Sequence, residues 1–477
     1  MPITPNSPAP ESNTPVKKNS IIAGAFIASV LTALGLFWLG QPDDIAYTAA
    51  ITLFVATLWV TEALPIPATS IIPFALFPMF GVLSHSDAAS SLGSHVIVLL
   101  MAAFMLSKAL ERANLHKRFA IYMLRVTGSG SPLKVILGFM LTTAVLSMWI
   151  SNTATILMML PMAIAIINAL DNPRFGVALI LGIAYAASLG GVGTPIGTPP
   201  NIIFMSVYEE TQGVEYSFIE WMKTGVPIVI VAIPIMALWL ARGIDKVGDI
   251  DLPAPGAWTD AEKRVLAIFG TVAMAWIFRP FWTTWIGVTT ISDSTIAVAG
   301  VVAMFLVNSG NDNGITDKKG NNDKLLDWKT ANDIPWGMLL LFAGGICIAK
   351  AFMASGLSVL MGTWLTGLSA LPILLLVLCI CLFVTFLTEI TSNTATATLL
   401  MPILAAAALA VGVDPKLLMI PAAISASCAF MLPVATAPNA IAYSTDKFDI
   451  KTMAREGIAL NIIVACVVTI VCYVTLT

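Results

Sequence analysis

Long apolar runs separated by short polar or charged stretches make up nearly all of the chain beyond Ser20. Many of them reach the roughly 17–25 residues that an α-helix needs to cross a bilayer. The short alternating segments of a membrane β-barrel are absent. In order, the runs predict spans at about 20–40, 45–64, 66–83 and 94–112, then a region at 134–169. Further spans follow at about 174–208, 224–242, 265–285, 289–308 and 334–354, then a second special region at 371–410, and finally 415–444 and 457–476.

The two special regions carry the same polar interruption. "SMWISNTATILMMLP" (Ser147–Pro161) and "TEITSNTATATLLMP" (Thr388–Pro402) both set Ser-Asn-Thr-Ala-Thr in an apolar run and close on a proline ten residues after the pentapeptide's serine. Backbone in hydrocarbon must satisfy its own hydrogen bonds, so broken helix is tolerated only inside protein or beside a cavity. A hairpin turning at Ser151-Asn152-Thr153 or Ser392-Asn393-Thr394 would place a helix end and free amides at mid-depth, and small polar side chains suit such a turn. The tripeptide alone is a weak signal. It also occurs as Ser12-Asn13-Thr14, within residues 1–19, a Pro-, Ser- and Asn-rich segment that predicts a disordered tail.

The duplication extends beyond the pentapeptide. Leu106–Leu115 aligns with Ile348–Leu357, and "GTPIGTPPN" (Gly193–Asn201) aligns with "MLPVATAPN" (Met431–Asn439), pairing Thr198 with Thr436. The offsets (348 − 106, 392 − 151 and 431 − 193) are 242, 241 and 238, so order and spacing are kept over more than 90 residues. Residues 20–242 therefore read as a first repeat, 243–264 as a linker and 265–477 as a second repeat.

Charge orients the repeats. Lys17/Lys18, Arg112 to Lys134, Arg174, Arg242 to Arg264, Lys318 to Lys329 and Lys447 to Arg455 fall on one side if both hairpins enter and leave the membrane on the same face. That places roughly nineteen basic residues against about four, a strong positive-inside bias. The expected fold is an all-α polytopic membrane protein with eleven transmembrane helices and two re-entrant hairpins in an inverted-topology repeat. Its N-terminus would be cytoplasmic and its C-terminus outside. This is an architecture of secondary transporters, which bind near the midplane between the repeats.

Composition agrees: 58% of the 477 residues are hydrophobic and 11% charged, with a mean hydropathy of +0.89. That mixture excludes a set of soluble domains. The net charge of −3 says little, because charge here matters loop by loop. The six cysteines lie in apolar segments, with neither zinc-site nor disulfide spacing. Ile21–Gly40 is long enough to be a first span, so no cleavable signal peptide is expected.

Hydroxyl, amide and carbonyl oxygens are good ligands for a hard cation, while helix N-termini and Asn or Thr donors favour an anion. Neither polar stretch contains Arg or Lys, so an anion held there would rely on cations and dipoles. Gly190, Gly191, Gly193, Pro195, Gly197, Pro199 and Pro200 break a second segment that faces the first hairpin. The alternative for isolated Ser and Thr is back-bonding or helix packing; duplication with a paired broken segment argues against it. Glu62 reads as an anchor of helix ends, and Glu389 stays open between a functional and a structural role. His85, His95 and His116 lie near loops and are assigned nothing. The basic amphipathic stretch Glu111–Arg125 suits a membrane surface. A channel would need a continuous polar pore, and an intramembrane hydrolase a catalytic set; neither H-E-x-x-H nor G-x-S-x-G occurs.

With both Ser-Asn-Thr motifs and the downstream Thr-Pro-Pro-Asn type segments in place, the chain resembles the divalent-anion/sodium symporters (DASS) from about residue 20 to the end. The resemblance implies a homodimer in a cytoplasmic (inner) membrane with an elevator-like mechanism. Spans 1–4 and 7–9 would be scaffold, and the hairpins with spans 5, 6, 10 and 11 would move. One Na⁺ would be held by Ser147, Ser151, Asn152 and the Gly197 carbonyl, the other by Thr388, the Thr391 carbonyl, Asn393 and the Ala435 carbonyl. Substrate carboxylates would meet Asn152, Thr153, Thr198, Ser392, Asn393, Thr394 and Thr436. The implied activity is Na⁺-coupled symport of C4-dicarboxylates such as succinate, malate or fumarate. The alternatives are citrate, sulfate or 2-oxoglutarate, or sodium-independent exchange. Thr436-Ala437-Pro438-Asn439 departs from the usual Thr-Pro-Pro and leaves the anion open.

Overall fold

A computed structural model describes residues 15–127, 131–170, 172–244, 256–288, 290–310, 324–365 and 372–477. The expected tail as far as residue 14, linker residues 245–255, Lys318 and residue 371 lie outside the described residues. Regular structure among the described residues is helical, apart from an isolated bridge between Asn308 and Lys324. Nine of the described helices are long and apolar enough to cross a membrane. Helices satisfy their own backbone, as hydrocarbon demands. The chain is an all-α polytopic membrane protein.

Two compact units are distinguished. One comprises residues up to Leu92 together with Leu340–Leu360. It contains α1 (Pro15–Trp38), α2 (Asp43–Thr61), α3 (Ile66–Ser70), α4 (Ile72–Met79) and α5 (His85–Leu92). Helix α1 starts within the expected tail, at a proline, which suits a first helical position because its missing N–H would be unpaired there anyway. Glu62 ends α2 in the left-handed region at φ 48°. The expected span at 66–83 is broken into α3 and α4 at Ile71, because Pro73 has no N–H to continue the ladder.

The larger unit contains α6 (His95–Arg112), α7 (Leu115–Thr127), α8 (Pro132–Ser147), α9 (Asn152–Leu170), α10 (Pro173–Gly190), α11 (Pro199–Gln212), α12 (Phe218–Ala241), α13 (Asp260–Ile286), α14 (Asp293–Leu306) and α15 (Trp328–Ala331). Helices α16 (Trp336–Ser355) and α17 (Leu357–Leu365) are divided between the units. The larger unit resumes with α18 (Ile373–Thr388), α19 (Asn393–Val411), α20 (Lys416–Ala426), α21 (Ala437–Tyr443) and α22 (Ile450–Leu476).

Both polar pentapeptides thus sit at the turn of a helical hairpin, α8–α9 and α18–α19. The segment expected to be discontinuous is so. Helix α10 ends at Gly190, a short 3₁₀ turn covers Gly191–Gly193, and α11 starts at Pro199. The second copy has the same layout, with α20 ending at Ala426 and α21 starting at Ala437. Helices α10 and α20 are buried almost throughout. A helix that is apolar and small-residued on every face is built to be surrounded. The packing is crossed: α11 lies against α19 and α20, and α21 against α9 and α10. Each hairpin is thereby closed by the broken helix of the other half.

Candidate functional site

At the first hairpin, α8 terminates on Ser147 and α9 begins on Asn152, so the four-residue turn brings their side chains together. Ser147 Oγ lies 2.6 Å from Asn152 Oδ1 and 2.6 Å from the Ala187 carbonyl oxygen. The same end of the Asn152 amide lies 3.1 Å from Ala187 O and 3.2 Å from Gly197 O. With Nδ2 at that end, the amide donates to the Ala187 and Gly197 carbonyls and to Ser147 Oγ. Turned the other way, Oδ1 joins Ser147 Oγ and the two carbonyls as a fourth oxygen around one point, the arrangement a bound cation would need. The donor set is oxygen only, which suits a hard, weakly demanding ion such as Na⁺. No group of three or more His, Cys, Asp or Glu that would hold a metal occurs among the described residues.

The second hairpin repeats these contacts. Thr388 closes α18, and its Oγ1 lies 2.7 Å from Asn393 Oδ1 and 3.0 Å from Ala426 O. The broken segments are also matched. Asn201 Nδ2 donates to the carbonyls of Gly191 (3.0 Å) and Thr194 (2.8 Å). Asn439 Nδ2 donates to those of Ala429 (2.9 Å) and Leu432 (3.0 Å). The sequence repeat is therefore a repeat of individual hydrogen bonds. In the first copy a Cβ on Gly197 would collide with the Gly191 carbonyl oxygen, so glycine there is a condition of the turn that delivers the Gly197 carbonyl to Asn152.

The halves meet at their breaks. Thr198 Oγ1 is 3.2 Å from Ser427 Oγ, although the residues are 229 positions apart. Thr198 and Thr436 are the N-cap residues of α11 and α21, both in extended backbone, so two helix N-termini begin within the broken segments. Neither the hairpin turns nor the breaks at 191–198 and 427–436 contain Arg or Lys. An anion there would meet amides, hydroxyls and helix dipoles.

The structure brings Ser147, Asn152 and Gly197 into one cluster and Thr388 and Asn393 into another. It treats other expected residues differently. Ser151 Oγ accepts from Ala154 N at 3.3 Å, capping α9 on an exposed position. Thr391 Oγ1 pairs with Thr396 Oγ1 at 2.6 Å and donates to Leu387 O, so its side chain is engaged within its own hairpin. Thr153 is exposed, Ser392 caps α19 without a side-chain bond, and Thr394 is buried with its carbonyl accepting from Thr398. Thr436 Oγ1 accepts from Asn439 N at 3.2 Å, and Ala435 is buried two residues before the exposed Ala437.

Glu389 is tied into the second break. Its buried carboxylate accepts from Phe430 N (2.7 Å), Met431 N (2.9 Å), Leu432 N (3.0 Å) and Asn461 Nδ2 (2.7 Å). The three backbone amides belong to the second break, and Asn461 stands on α22. The first break is held by neutral groups instead: Thr194 Oγ1 donates to Met148 O, and Trp221 Nε1 donates to Val192 O at 2.7 Å. Reading from sequence overlooked Asn201, Asn439 and Asn461 as clamps. Asn201 and Asn439 were in view as the last residues of the aligned segments, whereas nothing in the sequence signals Asn461.

The citrate transporter family model matches residues 56–417. The sodium-dependent dicarboxylate transporter SdcS of Staphylococcus saprophyticus is 39% identical over 479 aligned residues, covering 95% of this chain and 91% of that one. SdcS of Staphylococcus aureus strain USA300 is 40% identical over 488 residues, with 96% and 92% covered. Among solved structures, the YdaH transporter of Alcanivorax borkumensis, described as having an unusual topology, matches 82% of this chain and 87% of its own with a TM-score of 0.59. At 13% identity that likeness speaks for the fold alone. The chain belongs to the family of sodium-dependent dicarboxylate transporters, a family of carriers rather than of enzymes.

Proposed function

We propose that the protein couples inward Na⁺ movement to uptake of a small dicarboxylate, with a C4-dicarboxylate such as succinate as cargo. The observation that carries this reading is the duplicated cluster of a helix-ending hydroxyl, a helix-starting asparagine and a carbonyl from the broken helix. An asparagine whose Oδ1 faces a cation presents Nδ2 to the other side. Asn152 and Asn393 would thus each join a Na⁺ to one carboxylate of a shared anion. The remaining Na⁺ ligands would be Ser147, Ser151 and the Gly197 carbonyl at one site, and Thr388 with the Thr391 and Ala435 carbonyls at the other. Thr153, Thr198, Ser392, Thr394 and Thr436 would complete the anion's surroundings.

The hairpins are read as re-entrant, with eleven spans in an inverted repeat. Helices α8 and α18 have 16 residues each, about 24 Å at 1.5 Å per residue, short of a ~30 Å hydrocarbon core. Basic residues at the loops favour a cytoplasmic N-terminus and an outward C-terminus in a bacterial inner membrane. A homodimer whose hairpins and central helices move as a body against a scaffold completes the proposal. Citrate is the second reading, favoured by the family model's description and by Ala437, which leaves more room beside Thr436 than the usual proline. In proteoliposomes, an inward Na⁺ gradient should drive labelled succinate uptake, and Asn152→Ala and Asn393→Ala should each abolish it. Gradient-independent uptake, or full activity in both variants, would refute the assignment.

A further inference from the structure

At one end of the larger unit, α10 begins, α12 ends and α22 begins, and between them lies a half-open cavity of about 520 Å³. Its rim carries three arginines from three helix ends, Arg174, Arg242 and Arg455, and one acid, Glu456. Its wall is aliphatic, formed by Val177, Leu181 and Leu240 among others. The volume is within the roughly 300–1,000 Å³ of ligand sites. None of these residues belongs to the cation and anion clusters described above.

Among the described residues the charges do not cancel. Glu456 is buried and accepts from Arg242 Nη2 at 2.7 Å and Trp239 Nε1 at 2.9 Å, so it is committed to Arg242, whose guanidinium also lies 4.0 Å from the Trp239 ring centroid. Arg455 reaches Glu456 only at 3.4 Å, and its side chain is 75% exposed. Arg174 donates to the Gly243 carbonyl at 3.3 Å. Each guanidinium has five N–H donors in a planar fork, so Arg174 and Arg455 keep most of theirs for a ligand. Two such forks from different helices match a group with several oxygens around one centre, which is the geometry of phosphate.

We infer that this cavity binds a phosphate group, with Arg174 and Arg455 as its forks and the aliphatic wall accommodating whatever the phosphate carries. All three helices are long and apolar enough to cross a membrane, which would set their ends at the depth of lipid headgroups, and basic pockets between span ends are sites for anionic lipid. A free phosphorylated solute would present the same chemistry from the aqueous side.

The test uses the full-length protein in a neutral detergent, with thermal unfolding as the readout. Short-chain phosphatidylglycerol, glycerol phosphate and short-chain phosphatidylcholine are added separately. At about a hundred times its Kd, a bound ligand should raise the midpoint by about 2–3 °C. Stabilisation by phosphatidylglycerol alone would assign the site to lipid, and equal stabilisation by glycerol phosphate to a soluble phosphate. In both cases the shift must vanish in Arg174→Gln/Arg455→Gln, exposed changes that should leave the ligand-free midpoint in place. A shift that survives the double substitution, a zwitterionic lipid acting as well as the anionic one, or no shift with any ligand would overturn the proposal.

Discussion

Replacing Glu389 separates two things that its position joins, a fixed charge and a clamp. Oε1 accepts from Phe430 N, Met431 N and Asn461 Nδ2, while Oε2 accepts from Leu432 N. All four partners are donors, so Glu389→Ala would take this acceptor from four N–H groups, of which Phe430 N keeps Asn461 Oδ1 at 3.2 Å and the other three lose theirs. At about 1–3 kcal/mol per orphaned group, the upper bound is about 3–9 kcal/mol before relaxation. Glu389→Gln is the sharper probe. Its oxygen would keep the three bonds at Oε1 in weaker, neutral form, and its amide nitrogen would face Leu432 N donor to donor. One orphan and three weakened bonds amount to about 2–5 kcal/mol. The strain falls on the loop that carries Ala435 and Thr436. Thermal unfolding in detergent should therefore drop, and the Na⁺ concentration for half-maximal succinate uptake in proteoliposomes should rise several-fold. Glu389→Asp keeps the charge but shortens the reach. If the clamp is what matters, it should resemble Gln; if attraction of the cation matters, it should resemble the parent protein. Parental stability and Na⁺ dependence in Glu389→Gln would refute both.

Ser147→Ala and Thr388→Ala should each raise the Na⁺ requirement of uptake, whereas Thr388→Ser, which retains the hydroxyl beside Asn393 and Ala426, should be close to the parent in the same Na⁺ titration. Gly197→Ala should abolish uptake, since a Cβ there meets the Gly191 carbonyl; full activity would show that the turn is not built as described. Asn439→Ala removes two bonds to the second break and should cost about 2–3 kcal/mol, read as a lower unfolding midpoint. Arg118→Ala is the control. It splits a buried pair in which Arg118 Nε lies 2.8 Å from Glu262 Oε1 with both side chains 7% exposed. The expected loss is about 3–5 kcal/mol of stability with an unchanged Na⁺ requirement.

What could be read from the sequence follows from which atoms do the work. Side-chain oxygens in apolar runs stand out, so Ser147, Asn152, Thr388 and Asn393 were visible, and the steady offset paired them. Part of each cluster is backbone, however. The Ala187 and Ala426 carbonyls carry no mark in the letters, because any residue has a carbonyl and only the fold aims it. The Gly/Pro-rich break at 190–200 was legible for the opposite reason, since glycine and proline alter the backbone itself. Glu389 stayed ambiguous because its partners lie 41 to 72 positions downstream, beyond any local pattern. The split of residues 66–83 into α3 and α4 depends on a single proline among residues that otherwise continue a helix.

The two halves differ where their hydrogen bonds otherwise coincide. Position 148 follows the hydroxyl residue of the first hairpin, and position 389 follows that of the second. Met148 offers a backbone carbonyl to Thr194, whereas Glu389 offers a carboxylate to three backbone amides and Asn461. A pair of sites built only from neutral oxygens would differ little in affinity. The buried Glu389 carboxyl gives the proposed second cation position an acid one residue from Thr388 that the first lacks, and at an effective dielectric of ~20 opposite charges ~4–8 Å apart interact by about 2–4 kcal/mol. The amides that fix the carboxylate offset part of that field without removing its net charge. The second site should therefore fill at lower Na⁺ than the first. Na⁺ titrations of Ser147→Ala should retain a high-affinity component and lose a low-affinity one, and those of Thr388→Ala should do the reverse. Equal effects on both components would mean that the clamp screens the charge completely.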